Sequence, residues 1–467
     1  MSRLGLIFTA LFWFFSSFGL WSQSVTTGPA DGLPQDNDTQ AQASDVIVNH
    51  PEDRMLTPPP VGTLSFPLSL GSSERANYLR YGLAFTTTYN DNTLLGSSQN
   101  AVSDTSYSVA PIIAIDETSS RLHWVASYAP GFTFYQRISQ RNESDHNAAL
   151  QVAYRLSPHV TLSAEDHFQK SSNVFNNPNI DASTVVSGAA QVSNFFIVPP
   201  IGDRLSNTGS AGLTYQYSLN QMLGASGVFT RLDYPHPTQA PGLFNANSQS
   251  GSAFYAFRIS RMHYFGAAYQ YQRLLSYPTE GRSETETHAA ILFYTVSPSA
   301  HFSMSLFGGP QYSDTVLPSA TPGQSTFKAK SWDPAVGASL SWQQRSTSLA
   351  LNYARLVAGS GGLVGAVHTD TAMGALRRQL MKRLTAEFDG GYARNRVIAS
   401  TVAGSQNGHT VFGTALLNKQ FGQNISIQLG YTRLHQRYQQ VAVLSTNPDS
   451  NREFLSISYQ FSKPLGR

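Results

Sequence analysis

The run Arg452–Phe461, REFLSISYQF, decides how the whole chain is read. Leu455, Ile457, Tyr459 and Phe461 fall on one side of an extended segment, and Ser456, Ser458 and Gln460 on the other. A period of two with an apolar face and a small-polar face describes a strand between two different surroundings. In a soluble sandwich the apolar face meets a second sheet. In an outer-membrane barrel it meets lipid while the polar face meets a wet lumen. One strand does not separate the two, but the same grammar repeats back to Leu79.

Leu79, Tyr81, Leu83, Phe85 and Tyr89 alternate with Arg80, Gly82, Ala84, Thr86 and Asn90. Tyr107, Val109, Ile113 and Ile115 return, Leu122, Trp124, Tyr128, Phe132 and Phe134 go out, and Leu150, Val152, Tyr154 and Leu156 come back. RISQRNESDH, Arg137–His146, reads as a loop between the last two. Further strands centre near Ser163, Tyr215, Gly227, Phe257, Tyr269, Phe293, Ser305, Leu340, Leu351, Gly374, Phe388, Thr414 and Leu429. Tight joints (DETSS at Asp116, SPH at Ser157, SLNQ at Ser218, SPS at Ser297, QQRST at Gln343) alternate with long polar joints near Asp91, Gln140, Asn177, Pro237, Glu280, Pro318, Ser360, Ser405 and Asn447. Short turns on one side and long loops on the other are the arrangement of a transmembrane barrel. The expected fold is all-β: a transmembrane antiparallel β-barrel of about eighteen strands, with sixteen the alternative. A barrel this wide is not filled by its own side chains. Leu340 and Ile427 are expected on the lipid face and Ser339 inward.

Composition agrees. Only 13% of the 467 residues are charged, against ~25% in ordinary soluble chains. Aromatics reach 12%, yet mean hydropathy is −0.22. The net charge of +3 comes without a basic block, so no nucleic-acid partner is indicated. Cysteine is absent, which excludes disulfides, thiolate metal sites and a lipidated cysteine.

Residues 1–23 read as a cleaved signal peptide: Arg3 precedes the short apolar run Leu4–Phe15, although no A-x-A precedes Ser24. The rival reading is a membrane anchor, against which the run is shorter than the ~20 residues a spanning helix needs. Residues 24–78, with TGPADGLPQDNDTQ and TPPPVG, read as a disordered N-terminal leader in the periplasm or a small plug. Residues 79–467 are assigned to the barrel.

These features resemble the β-barrel porin families of Gram-negative outer membranes, and most the group associated with exopolysaccharide systems. The resemblance rests on the signal and leader, YNDN (Tyr89–Asn92), YAPGFTFYQR (Tyr128–Arg137), LSPHVTLSAEDHF (Leu156–Phe168) and the terminal LSISYQF. It spans Leu79 to Phe461 and implies a pore or export conduit for small polar or saccharide solutes. It also implies the barrel assembly machinery and outer-membrane lipid as partners. Such barrels finish on an aromatic residue; here SKPLGR follows Phe461.

Chemistry is sparse. No phospholipase-like GHxSNG stretch, HExxH or phosphate loop occurs, and GHT at Gly408 lacks the serine. Asp145–His146 reads as loop polars and Glu165–Asp166–His167 as part of a strand, with Glu165 and His167 facing inward. No catalytic, cofactor or metal residue is assigned. Arg155, Glu165, His167, Arg258, Glu387 and Asp389 are the candidate lumen-lining residues, since lining polarity and constriction set selectivity in a pore. Ser171–Asn207 is the third long connection, either folded inward as a constriction or built outward, with VVSGAAQVSNFFIV as an extra hairpin. Rival classes are a non-conducting structural or adhesive barrel, an assembly partner of a polysaccharide machine, and an outer-membrane hydrolase.

Overall fold

The structure is a computed structural model that describes residues 77–94, 101–171, 203–240, 242–279, 281–299, 301–318, 326–359, 361–398, 407–439 and 449–465. The expected signal peptide, all but the last two residues of the leader, and most of the third long connection lie outside them.

Eighteen strands follow one another: β1 (Tyr78–Asn90), β2 (Asp104–Thr118), β3 (Leu122–Tyr135), β4 (Glu143–Ser157), β5 (Val160–Ser171), β6 (Arg204–Ser218), β7 (Gln221–Asp233), β8 (Ala246–Ser260), β9 (His263–Ser276), β10 (Ser283–Ser299), β11 (Phe302–Leu317), β12 (Phe327–Gln343), β13 (Thr347–Gly359), β14 (Ala366–Met381), β15 (Leu384–Val397), β16 (Gly408–Phe421), β17 (Ile425–Tyr438) and β18 (Asp449–Pro464). Every predicted strand centre falls inside a strand. Each strand pairs antiparallel with its neighbours in sequence, and β18 returns to β1 in unbroken register from Tyr78↔Pro464 to Asn90↔Arg452. The sheet is a closed antiparallel barrel of eighteen strands, and closure removes both edges. Among the described residues no helix is long and apolar enough to cross a membrane.

Four boundaries differ from the sequence reading. Tyr78 already belongs to β1. Glu143–His146 open β4 rather than closing a loop, because Asn142 Oδ1 accepts from Tyr135 N–H at 2.9 Å and turns the chain early. Ser171 ends β5, and Arg204–Asn207 start β6 and pair with Ser171–Phe168. Ser297–Ser299 remain in β10, where the register shifts between Val296 and Ser299.

Alternation places the two faces. The outer wall is apolar and exposed: Leu83, Ile113, Leu150, Leu213, Leu292, Leu306, Leu351, Leu429 and Ile457. Tyr81, Tyr154, Tyr215, Tyr217 and Tyr459 stand on it near the short-turn end, and Tyr89, Tyr107, Phe134, Phe168 and Tyr392 near the other. Leu340 shares this wall, between Met304 and Leu351, as does Ile427, between Lys419 and Ile457. The inner face is small and polar, with Thr86, Ser106, Ser108, Thr230, Thr285, Ser305 and Ser339. Where a large ring stands inside, it covers a glycine on the next strand, as Phe293 does for Gly266 and Phe454 for Gly430.

The first and last strands are also clasped beyond their ladder. Asp91 accepts from Asn451 N–H at 2.8 Å and from its Nδ2 at 2.7 Å. Ser450 Oγ donates to Asn90 Oδ1 at 2.8 Å, and Asn92 Nδ2 donates to the Asp449 carbonyl at 2.9 Å. The YNDN stretch is therefore the outer fastening of the seam. At its other end Ser462, Lys463 and Pro464 pair with Arg80, Leu79 and Tyr78, so part of the extension past Phe461 is strand.

Candidate functional site

A barrel of this size leaves a wide interior, so what narrows it is the place to look. Two long connections among the described residues turn inward. After β7 the segment YPHPTQAPGLFN, Tyr234–Asn245, cannot extend the sheet, because its prolines have no N–H to offer a ladder. It folds into compact turns, with Gln239 N–H on the His236 carbonyl at 2.9 Å and Leu243 N–H on that of Ala240 at 3.1 Å. Asn245 Oδ1 accepts from Tyr234 N–H at 2.7 Å and draws the ends together.

The second is the tip of the β13–β14 hairpin. β13 pairs with β12 only from Ser348 to Arg355, while β12 continues along β11 to Phe327. From Leu356 onward the hairpin leaves the wall. Val357 N–H there donates to the Gln311 side chain of β11 at 3.0 Å, and Gly365 N–H donates to Ser276 Oγ of β9 at 3.1 Å. Gly361, Gly362 and Gly365 adopt φ of 63°, 108° and 79°, a region open to glycine and costly to other residues. A β-carbon at Gly362 would also lie 2.9 Å from the Tyr234 ring.

The two connections meet. Tyr234 Oη donates to the Gly361 carbonyl at 2.9 Å, and Phe244 N–H donates to that of Gly362 at 2.7 Å. Leu232, Tyr234, Ala240, Leu243, Leu363, Val367 and Tyr438 form one buried apolar cluster. These residues come from β7, β13–β14 and β17, which stand six, four and eight strands apart around the ring. At ~4.8 Å per strand, six strands are roughly 28 Å of wall, so the contact exists because the loops cross the interior. Tyr438 is held by Asn395 Nδ2 at 2.8 Å, and Asn395 accepts from Thr369 Oγ1 at 2.9 Å. Burial pushes the Tyr234 phenol up to about 12, against the pull of the Arg204 charge, so it stays protonated and keeps donating.

The inner face changes along the axis. Near the long-connection end Thr133, Gln169, Arg204, Leu232, Ser283, Leu317, Asn395, Gln436 and Ser450 are buried, whereas Phe327, Ala329 and Ser331 of β12 are half-buried. Near the short turns Arg155, Gln343, Gln379, Gln420 and Gln460 are exposed. Among the described residues the inner face is thus more covered toward the long connections, where the two loops cross, than toward the short turns.

The residues singled out from sequence do not form one site. Glu165 and His167 stand two apart on one face of β5, and Gln151 Nε2 donates to Glu165 at 3.2 Å. Arg155 is exposed at the β4 end. Arg258 donates to Asn220 Oδ1 at 3.0 Å beside the β6–β7 turn. Glu387 pairs with Arg377 at 3.2 Å, and Asp389 lies two residues along the same face, far around the ring from β5. Asp145, read as a loop polar, is buried on β4. Sequence reasoning missed Tyr234, Gly361, Gly362, Leu363 and Tyr438; the clustered glycines of GSGGLVG were the one available signal. Among the described residues no group of His, Asp and Glu is arranged to hold a metal ion.

No protein-family model matches the sequence, and no curated protein does. Solved structures do. The unliganded ferric citrate transporter FecA superimposes with a TM-score of 0.41 at 12% identity, over 80% of this chain and 63% of that one, under two thirds of its length. Acinetobacter baumannii OccAB4 gives 0.38 at 11%, covering 84% and 99%. Pseudomonas aeruginosa OccK2 (OpdF) gives 0.41 at 10%, covering 83% and 98%. Likeness at this level carries no functional assignment.

Proposed function

We propose that the chain is an outer-membrane β-barrel channel for small polar or saccharide-like solutes, exported through a cleaved signal peptide. The observation that carries this is a closed eighteen-strand barrel with an exposed apolar outer wall, a polar inner face and loops that narrow one end. Apolar surface on this scale calls for a membrane or a partner, and a closed barrel is the one β structure that leaves no unpaired backbone in lipid. Arg155, Glu165, His167, Arg258, Glu387 and Asp389 line the lumen in this reading, with Arg377 added to them. No residue needs to be catalytic.

A second reading has its own support. The loops that cross the interior and bury much of the inner face toward the long connections favour a conduit shut at rest, opened by a partner in polysaccharide secretion as the family resemblance suggests. Refolded protein in a planar bilayer separates them: steady ion conductance is the expected result for the channel, and silence that ends when the inward loops are cut supports the shut conduit. Recovery of the protein as a soluble periplasmic species, with no heat-modifiable band, would overturn both.

A further inference from the structure

The outer wall is strongly basic in one place. Arg394 of β15 faces His409 of β16, and His409 faces Arg437 of β17, in a single cross-strand row. The next row toward the short turns is Tyr392, Val411 and His435. The His409 ring lies 5.7 Å from that of His435 and 6.3 Å from that of Tyr392.

The neighbouring acids are already engaged. Asp370 of β14 is opposite Arg394, but its carboxylate lies 3.6 Å from Arg355 and 3.4 Å from Arg396. Asp449 of β18 is opposite His435, but Arg433 holds it at 2.9 Å. Arg394 and Arg437 are exposed, and among the described residues neither has an ion pair. The row therefore leaves two guanidinium groups, one on each side of His409, open to an anion from outside. Two rows below it glycines stand side by side, Gly374 facing Gly390 and Gly390 facing Gly413, with the Leu351 side chain 3.1 Å from the β-carbon position of Gly374. A β-carbon at Gly390 or Gly413 would meet nothing nearer than 3.5 Å.

We infer that Tyr392, Arg394, His409, His435 and Arg437 form a binding site on the outer wall for the phosphate-bearing headgroup of a lipid. This rests on the membrane placement proposed above. Guanidinium groups take phosphate oxygens in a paired, planar geometry. Tyr392 stands at the level where aromatic side chains mark the boundary between headgroups and hydrocarbon. In the membrane placement the row lies on the outer wall beside Tyr392, at headgroup level, where the surrounding anions are lipid phosphates; that commits the site to a lipid.

The test uses the full chain, folded in neutral detergent and titrated with bis-phosphorylated lipid A, followed by native mass spectrometry. One lipid is expected to be retained per barrel, and the same lipid stripped of phosphate should bind at least ~10-fold more weakly, the scale of a few charge-assisted bonds. Arg394→Ala/Arg437→Ala should weaken retention at least ~10-fold by the same reasoning. Lys328→Ala/Lys330→Ala, which removes two cations from β12, should leave it unchanged. Heat-modifiable migration verifies that each variant is folded. Equal retention by wild type and the arginine variant overturns the site, as does equal binding of the phosphate-free lipid. Displacement of lipid A by inorganic phosphate at matched concentration shows an anion site without lipid preference and overturns the lipid commitment. A wild type that enters vesicles yet retains no lipid A sinks this inference alone, whereas one that enters no vesicle sinks the membrane placement as well.

Discussion

At Gly266 the Phe293 ring lies where a side chain would begin: a β-carbon there would be 2.2 Å from Phe293 Cζ and 2.3 Å from the Tyr255 carbonyl. Gly251, on the outer wall of β8, has nothing within 4 Å of the same position. Gly251→Val should therefore be neutral or slightly stabilising, since valine suits a strand. Gly266→Val should destabilise by ~1–3 kcal/mol, the usual cost of overpacking. Urea unfolding from vesicles compares the two, and equal midpoints would contradict the packing described. The faces themselves were legible in sequence, because alternation is a property of the strand alone. Leu429→Arg, mid-strand on the outer wall, should cost ~2–4 kcal/mol in a bilayer, with Gln428→Arg far milder. Equal penalties in reversible folding would put the register off by one. The aromatic–glycine pairing was not legible, since it depends on which residues face each other across two strands.

Among elements, the β13–β14 hairpin departs furthest from the sequence reading. The sequence reading left Ser171–Asn207 either folded inward as a constriction or built outward, and residues 172–202 lie outside the described part. The narrowing that is described comes from the fourth and seventh long connections. Length drew attention to the third; nothing in a single sequence shows that Tyr234–Asn245 and Gly361–Gly365 touch, because they meet across the interior. Leu363→Asp puts a charged carboxylate among buried, mostly apolar side chains, which is costly. The loops should separate and single-channel conductance should rise, with the barrel still heat-modifiable. Unchanged conductance in a folded variant would remove these loops from the path. Tyr234→Phe is a milder probe: the Gly361 carbonyl loses its donor, worth ~1–3 kcal/mol if it stays buried, and brief openings should become more frequent.

For the whole molecule, the strand count and the alternation of short and long joints were legible because each strand carries its own signal and each turn its own chemistry. Closure followed from reading those joints as a transmembrane barrel; the clasp at Asp91 did not. Asp91→Ala removes the acceptor for two donors of Asn451 and should lower stability by ~1–3 kcal/mol, read as an earlier unfolding midpoint with unchanged strand content.

That seam has a consequence in time. Seventeen of the eighteen strand contacts join segments adjacent along the chain, but the last joins residues as far apart as Thr86 and Ser456, whose hydroxyls meet at 2.8 Å across 370 positions. Loop-closure entropy weighs on contacts of such separation before any of them is rewarded. Until β18 is complete, the nascent protein is a curled ribbon with two sticky margins, open to pairing with any other strand it meets. Ring closure is thus the committing event of assembly, and a chain cut short of Asp449 would leave β1 searching for a partner that never arrives.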